Sequence, residues 1–265
     1  MTAKPDTASM EIWVLADLRS ERLFGQSLNI LAKAHELAKG VEGRAAAVVT
    51  SAAGQGVSEQ AGSMEPDLAV EEAVDQCMAY GADVVYRLEH SALMGLRTDA
   101  VGAALARAVE MRSPDLVLVP LTDFGREVAS RAARMNDAGL IADCADLKVE
   151  QGRVLATCPA WGGQIMAEIG FTDDQRTGFA TVQTHICEAK KARGEPGRVE
   201  RISIEELTIP SGMVLLSRCP EAAEHRKLED AEVVVVGGAG VGNNEGFGMV
   251  RQLAAALGAE VGATR

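Results

Sequence analysis

The run Gly237–Gly242 (GGAGVG) is the segment of this 265-residue chain best suited to bind a ligand through its backbone. It follows the β-branched run Ala231–Val236 and precedes a helical stretch, Glu245–Leu257. Backbone N–H groups at such a turn, with a helix N-terminus behind them, can cradle a phosphate or another anion. The spacing departs from G-x-G-x-x-G, because the third glycine position counted from Gly238 is Asn243. A ligand-free strand-to-helix turn would use the same glycines, so Gly238, Ala239 and Gly240 carry both readings.

Two further segments invite chemistry. Gly125, Arg126 and Glu127 open a helix directly after the apolar run Asp115–Leu121. That is the ligand-binding edge of an open α/β sheet. The alternative is ordinary helix N-terminal chemistry, with Glu127 favouring the dipole. Cys158–Gly163 (CPAWGG) places one of the two tryptophans before paired glycines. Trp161 there is either core at a β corner or an anchor for another subunit.

Other reactive types are scattered. His35, His90, His185 and His225 show no H-x-H or H-x-x-x-H spacing, so a metal site has no support. The five cysteines (Cys77, Cys144, Cys158, Cys187 and Cys219) contain no C-x-x-C. They read as reduced, buried, small apolar residues of a cytoplasmic protein. There is no G-x-S-x-G, and no catalytic residue can be named. No self-sufficient catalytic centre is visible among these residues, and nucleotide binding is the most that they suggest by themselves.

The elements that position these residues alternate. Glu11–Asp17, Arg44–Thr50, Ala82–Arg87 and Asp115–Leu121 read as strands. Ser27–Lys39, Leu68–Tyr80, Thr98–Met111 and Phe124–Asn136 read as helices, and Ser51–Asp67 as a loop. This predicts an α/β fold: a mostly parallel sheet with helices on both faces. From Ile141 to His185 short β runs succeed one another without a helix, which predicts an antiparallel extension. The expected domains are 1–189, a charged linker 190–230, and the start of a second α/β domain at 231–265. About 35 residues of strand–turn–helix–strand cannot bury their own sheet, so more polypeptide is expected to complete that unit.

Composition sets the outer bounds. Apolar residues make up 47% and charged residues 24%, an ordinary globular balance. The net charge of −12 argues against nucleic acid or an anionic membrane surface as a partner. No apolar stretch is long enough to span a bilayer, and the N-terminus has no leader-like pattern.

Three segments together resemble the α subunit of electron-transfer flavoproteins, a family that includes FixB-like, nitrogen-fixation-associated members. They are Gly125–Leu147 (GREVASRAARMNDAGLIADCADL), Pro159–Glu168 (PAWGGQIMAE) with Ala180–Val182 after it, and Ala231–Arg265. The resemblance implies an αβ heterodimer that carries electrons through FAD. Donors would be flavoprotein dehydrogenases of the acyl-CoA dehydrogenase type. The acceptor would be a quinone reductase or another carrier, with electron bifurcation in some members. It implies that Thr264 and Arg265 match the Ser-Arg of the family's GASR motif, with Arg265 beside the isoalloxazine ring. Ala239 stands where the family's GGRG turn has an arginine that contacts FAD, and Gln183-Thr184-His185 replaces Arg-Pro-Gly after ATV. The family's later flavin-domain motifs do not occur before Arg265. FAD is therefore expected in the full-length αβ complex and not on residues 1–265 alone. The alternative from another class is a cofactor-free structural subunit that docks a partner flavoprotein.

Overall fold

A computed structural model of the chain describes residues 10–52, 70–172, 177–192, 197–205, 207, 209, 216, 228 and 231–264. The chain divides into two compact units, Met1–Leu216 and Ser217–Arg265. Most of the loop expected at Ser51–Asp67 lies outside the described residues.

In the first unit the expected alternation is present. It runs β1 (Glu11–Leu15), α1 (Glu21–Lys39), β2 (Arg44–Ser51), α2 (Val70–Ala79), β3 (Val84–Glu89), α3 (Thr98–Arg112), β4 (Leu116–Pro120), α4 (Asp123–Met135) and β5 (Gly139–Cys144). Then come β6 (Asp146–Glu150), β7 (Arg153–Ala160), β8 (Ile165–Gly170), β9 (Gly178–Val182) and β10 (Arg198–Ile202). Seven strands form one sheet in the order β10-β3-β2-β1-β4-β9-β5, and every pair in it is parallel. The order in which strands are added reverses between β1 and β4: β2 and β3 lie on one side of β1, and β4, β9 and β5 on the other. Right-handed crossovers then send α1 and α2 to one face and α3 and α4 to the other. Two covered faces explain why β1 (EIWVL), β4 (LVLVP) and β9 (GFATV) are buried at every position.

Two details differ from the sequence pattern, each for a local reason. Helix α1 begins at Glu21, ahead of the apolar periodicity, because Ser20 caps it by accepting the Leu23 N–H. The β run Ile141–Val149 is two strands. Asp143 adopts φ +61 where the β5–β9 register shifts, and the chain turns there out of the parallel sheet into β6.

The antiparallel component is a three-stranded sheet of its own, β6-β7-β8, and not further strands of the large one. Burial sorts these runs. β9 is apolar on both faces and lies between β4 and β5, whereas β8 is exposed along nearly its whole length. The segment expected as linker contributes β10, which pairs with β3 at the edge of the large sheet. Its Ile202, with Ile204 just beyond, is buried while Arg198, Val199 and Arg201 are exposed, so a charged segment still supplies an edge strand.

The second unit consists of β11 (Val234–Gly237), a 3-10 turn (Ala239–Val241), α5 (Asn244–Leu257) and β12 (Glu260–Ala263). β11 and β12 pair in parallel as a two-stranded sheet. Gly258 ends α5 in the left-handed region at φ 62, the usual role of glycine after a helix. Among the described residues no helix is long and apolar enough to cross a membrane.

Candidate functional site

The site is built by the pairing of β11 with β12. In-register contact of Gly237 with Ala263 brings the glycine turn and the residue after β12 to the same, carboxyl, end of the strands. Thr264 N–H donates to the Gly237 carbonyl at 3.0 Å. A Cβ on Gly238 would lie 3.1 Å from Thr264 Oγ1, so the glycine lets the hydroxyl approach the turn.

The turn is held by its own backbone. Val241 N–H donates to the Gly238 carbonyl and Gly242 N–H to the Ala239 carbonyl, both at 3.1 Å. Asn243 caps α5, its Oδ1 accepting the Gly246 N–H at 3.0 Å. Gly237 and Gly246 have packing roles. A Cβ would meet the Phe247 ring at 2.7 Å in the first case and the Val241 carbonyl at 1.9 Å in the second. Gly240 and Gly242 face open space, and Gly242 has φ +78.

Four of the five residues singled out for a cofactor (Gly238, Ala239, Gly240 and Thr264) thus lie together at one strand end, beside the N-terminus of α5. Arg265 lies outside the described residues. The arrangement fits a phosphate-bearing group. Its features are a glycine turn with open space, a hydroxyl against it, and a helix N-terminus whose first amides lack intrahelical acceptors. Ala239 adds no charge to that place.

The other candidates resolve differently. Gly125 N–H donates to Thr122 Oγ1 at 3.0 Å, and a Cβ on Gly125 would sit 1.9 Å from the Pro120 carbonyl. Arg126 pairs with Asp143 at 3.3 Å. Glu127 pairs with Arg131 at 2.7 Å, and that guanidinium holds its carboxyl below the usual range. These residues serve helix capping and ion pairing. Trp161 is 80% exposed, at φ +54, in the turn between β7 and β8. It does not pack as core, and Ile165 and Met166 beside it are exposed as well.

Sequence reasoning missed a buried polar cluster at the amino ends of the large sheet. Glu11 accepts from Trp13 Nε1–H at 2.8 Å, Tyr86 O–H at 2.8 Å and Arg44 Nη2 at 2.5 Å. Burial alone would raise the Glu11 pKa, but these donors outweigh it and hold the carboxyl below its ordinary value. Burial and the Glu11 carboxylate push the Tyr86 phenol up to about 12. A glutamate opening a fully buried strand beside tryptophan was the available signal. The cluster lies opposite the ligand-binding edge, so its role is to hold β1, β2 and β3 together.

Fold and site define a parallel α/β protein that carries, in a second unit, a strand–glycine turn–helix of anion-binding form. Residues 12–207 match the electron transfer flavoprotein domain family, and residues 227–265 match the electron transfer flavoprotein FAD-binding domain family. The electron transfer flavoprotein subunit alpha of Thermoanaerobacterium thermosaccharolyticum is 31% identical over 259 residues, which cover 96% of this chain and 73% of that protein. Protein FixB of Bradyrhizobium diazoefficiens is 32% identical over 263 residues, covering 96% of this chain and 66% of the relative. Subunit alpha of Clostridium acetobutylicum is 30% identical over 260 residues, covering 96% and 72%. The chain belongs to the electron transfer flavoprotein family, of the α-subunit and FixB type that its motifs resemble.

Proposed function

We propose that the chain is the α subunit of a heterodimeric electron-transfer flavoprotein. With the family's β subunit it carries electrons, in the cytoplasm, from flavoprotein dehydrogenases of the acyl-CoA dehydrogenase type to a quinone reductase or another acceptor. The observation that carries this reading is the convergence of the Gly237–Gly242 turn, the α5 N-terminus and Thr264 at one strand end. In this proposal residues 1–189 together with the edge strand β10 form the α/β domain, the rest of 190–230 connects, and 231–265 supply the first part of the flavin site. FAD, when bound, supplies the group that accepts and releases electrons. The amides of the turn and of the first turn of α5 hold its phosphates. Gly238 and Gly240 keep side chains out of the way, and the Thr264 hydroxyl donates to the cofactor. Arg265 provides a fixed positive charge that favours the reduced, anionic cofactor. FAD is held by the full-length αβ complex and not by residues 1–265 alone. Trp161 and Met166 belong to the surface that meets the β subunit, because a large aromatic residue exposed at a hairpin tip suits an interface anchor.

The test is co-expression with the β subunit, size-exclusion chromatography with light scattering, and a visible spectrum. A one-to-one complex with a flavin band is expected, and Gly238→Val, whose side chain would press on Thr264, should lower the flavin content about tenfold, the equivalent of ~1.4 kcal/mol. An α monomer eluting beside free β subunit would overturn the heterodimer. A stoichiometric flavin band on residues 1–265 alone would overturn the proposed requirement for the complex. Ala239 in place of the family's arginine favours a second reading, a cofactor-free docking subunit. A stable heterodimer without flavin would establish that reading instead.

A further inference from the structure

Cys144 ends β5 in the parallel sheet, and Cys158 lies in β7 of the antiparallel sheet. Their Sγ atoms are 3.8 Å apart, and the residues are 0% and 4% exposed. Both thiols are free. The main chain fixes their approach. Gln183 N–H donates to the Cys144 carbonyl at 2.9 Å, and Ala145 N–H donates to the Thr157 carbonyl at 2.8 Å. The neighbours of the two cysteines are thus bonded directly to each other across the two sheets. Among the described residues no group of three or more histidines, cysteines or carboxylates is placed to hold a metal ion. Two thiols in contact, without further ligands, are the ingredients of a disulfide.

We propose that Cys144 and Cys158 form a peroxide-oxidisable pair whose disulfide fastens the antiparallel sheet to the edge of the parallel one. Burial raises both thiols above the ordinary range, and the S–H of Cys144 partly offsets this for Cys158. In the proposed step the Cys158 thiol loses its proton and the thiolate attacks one oxygen of hydrogen peroxide. The O–O bond breaks, the leaving hydroxide takes a proton to become water, and Cys158 is left as a sulfenic acid. Cys144 then attacks that sulfur and releases its proton. The S–O bond breaks, a second water leaves and the S–S bond forms. Two thiols and one peroxide give one disulfide and two waters, and two electrons pass from sulfur to oxygen. Peroxide is the fitting oxidant because it is small enough to reach a buried pair. The step needs no flavin, so it stands or falls independently of the function proposed above.

The experiment treats the full chain with hydrogen peroxide, unfolds it, alkylates the remaining thiols and maps peptides by mass. The expected product links the Cys144 and Cys158 peptides, has lost two hydrogens, and reverts with dithiothreitol. In the oxidised protein the amides of β7 should exchange about tenfold more slowly or better, since closing a loop of this length can add more than that. In Cys144→Ser, with folding checked by circular dichroism, Cys158 should stop at the sulfenic acid and be captured by dimedone. The wild-type map does not depend on that variant. Two free thiols at a peroxide dose that oxidises the more accessible Cys187 would overturn the proposal, as would a link from either residue to a different cysteine. Unchanged exchange in a cross-linked β7 would overturn the fastening.

Discussion

β4–α4 in the first unit and β11–α5 in the second solve the same local problem in the same way. Each strand runs into a turn whose polar residue caps the next helix: Thr122 accepts the Gly125 N–H and Asn243 the Gly246 N–H, both at 3.0 Å. In each, a Cβ on that glycine would fall 1.9 Å from a carbonyl, of Pro120 in one case and Val241 in the other. What surrounds the two motifs differs. β4 is buried at every position, and α4 buries Phe124, Val128, Ala129 and Ala132 within its own unit. In the second unit Val236, Met249, Leu253 and Leu257 stay exposed, and α5 buries only Val250 and Ala254. Cap and glycine build the turn from short-range chemistry, whereas covering its apolar face takes other elements.

The largest effect should fall on that difference in burial. Phe179→Ala, in fully buried β9, should cost about 3–5 kcal/mol by urea denaturation, while Leu253→Ala on the outer side of α5 should stay within about 0.5 kcal/mol in the chain alone. Equal costs would mean that the outer face of α5 is covered, and the contrast would collapse. The shared part of the comparison is tested by Gly125→Ala and Gly246→Ala. Each should cost about 1–3 kcal/mol through the same clash, read as faster amide exchange in α4 or α5 respectively. An effect at only one of the two glycines would break the equivalence.

The Glu11 cluster belongs to the first unit, and it sharpens the contrast through pH. Its folded pKa is depressed, so its contribution is fully present above the unfolded value, about 4.3, and is lost as pH falls through the lower folded value. Glu11→Gln should cost about 2 kcal/mol at pH 7, because Arg44 loses its partner, and should flatten the acid loss of stability below about pH 4. An unchanged acid profile would place that loss elsewhere. The smallest effect on stability is expected at Trp161. Trp161→Ala should change it by no more than about 0.5 kcal/mol, yet weaken association with the β subunit by about 2 kcal/mol in a titration. A loss of stability without a loss of binding would remove Trp161 from the proposed interface.

The alternating first half of the chain was readable because its strands are short and apolar and its helices carry apolar residues at helical spacing, on one face in α1, α2 and α4 and nearly all round in α3. The glycine turn was readable as a turn for the same short-range reason, but not as a site. Nothing local tells that Gly238 faces Thr264, since that contact spans the whole of α5 and exists only through the parallel pairing of β11 with β12. β10 was hidden by its charges, because only Ile202 of its five residues is buried and Arg198–Ile202 reads as polar.

By itself the sequence determined the α/β class, the order of the first elements, the turn glycines and, through its motifs, the family. Those features depend on residues near one another in the chain. Tertiary structure alone decided which β runs entered the large sheet, because β9 and β8 differ in burial far more than in composition. It also decided that Trp161 stands in solvent, that Glu11 meets Tyr86, and that Cys144 touches Cys158. Each depends on what the assembled strands bring, or fail to bring, next to a residue, and not on its neighbours in the chain. A strand's period of two fixes which side a residue takes, and only the assembled sheets fix what it finds there.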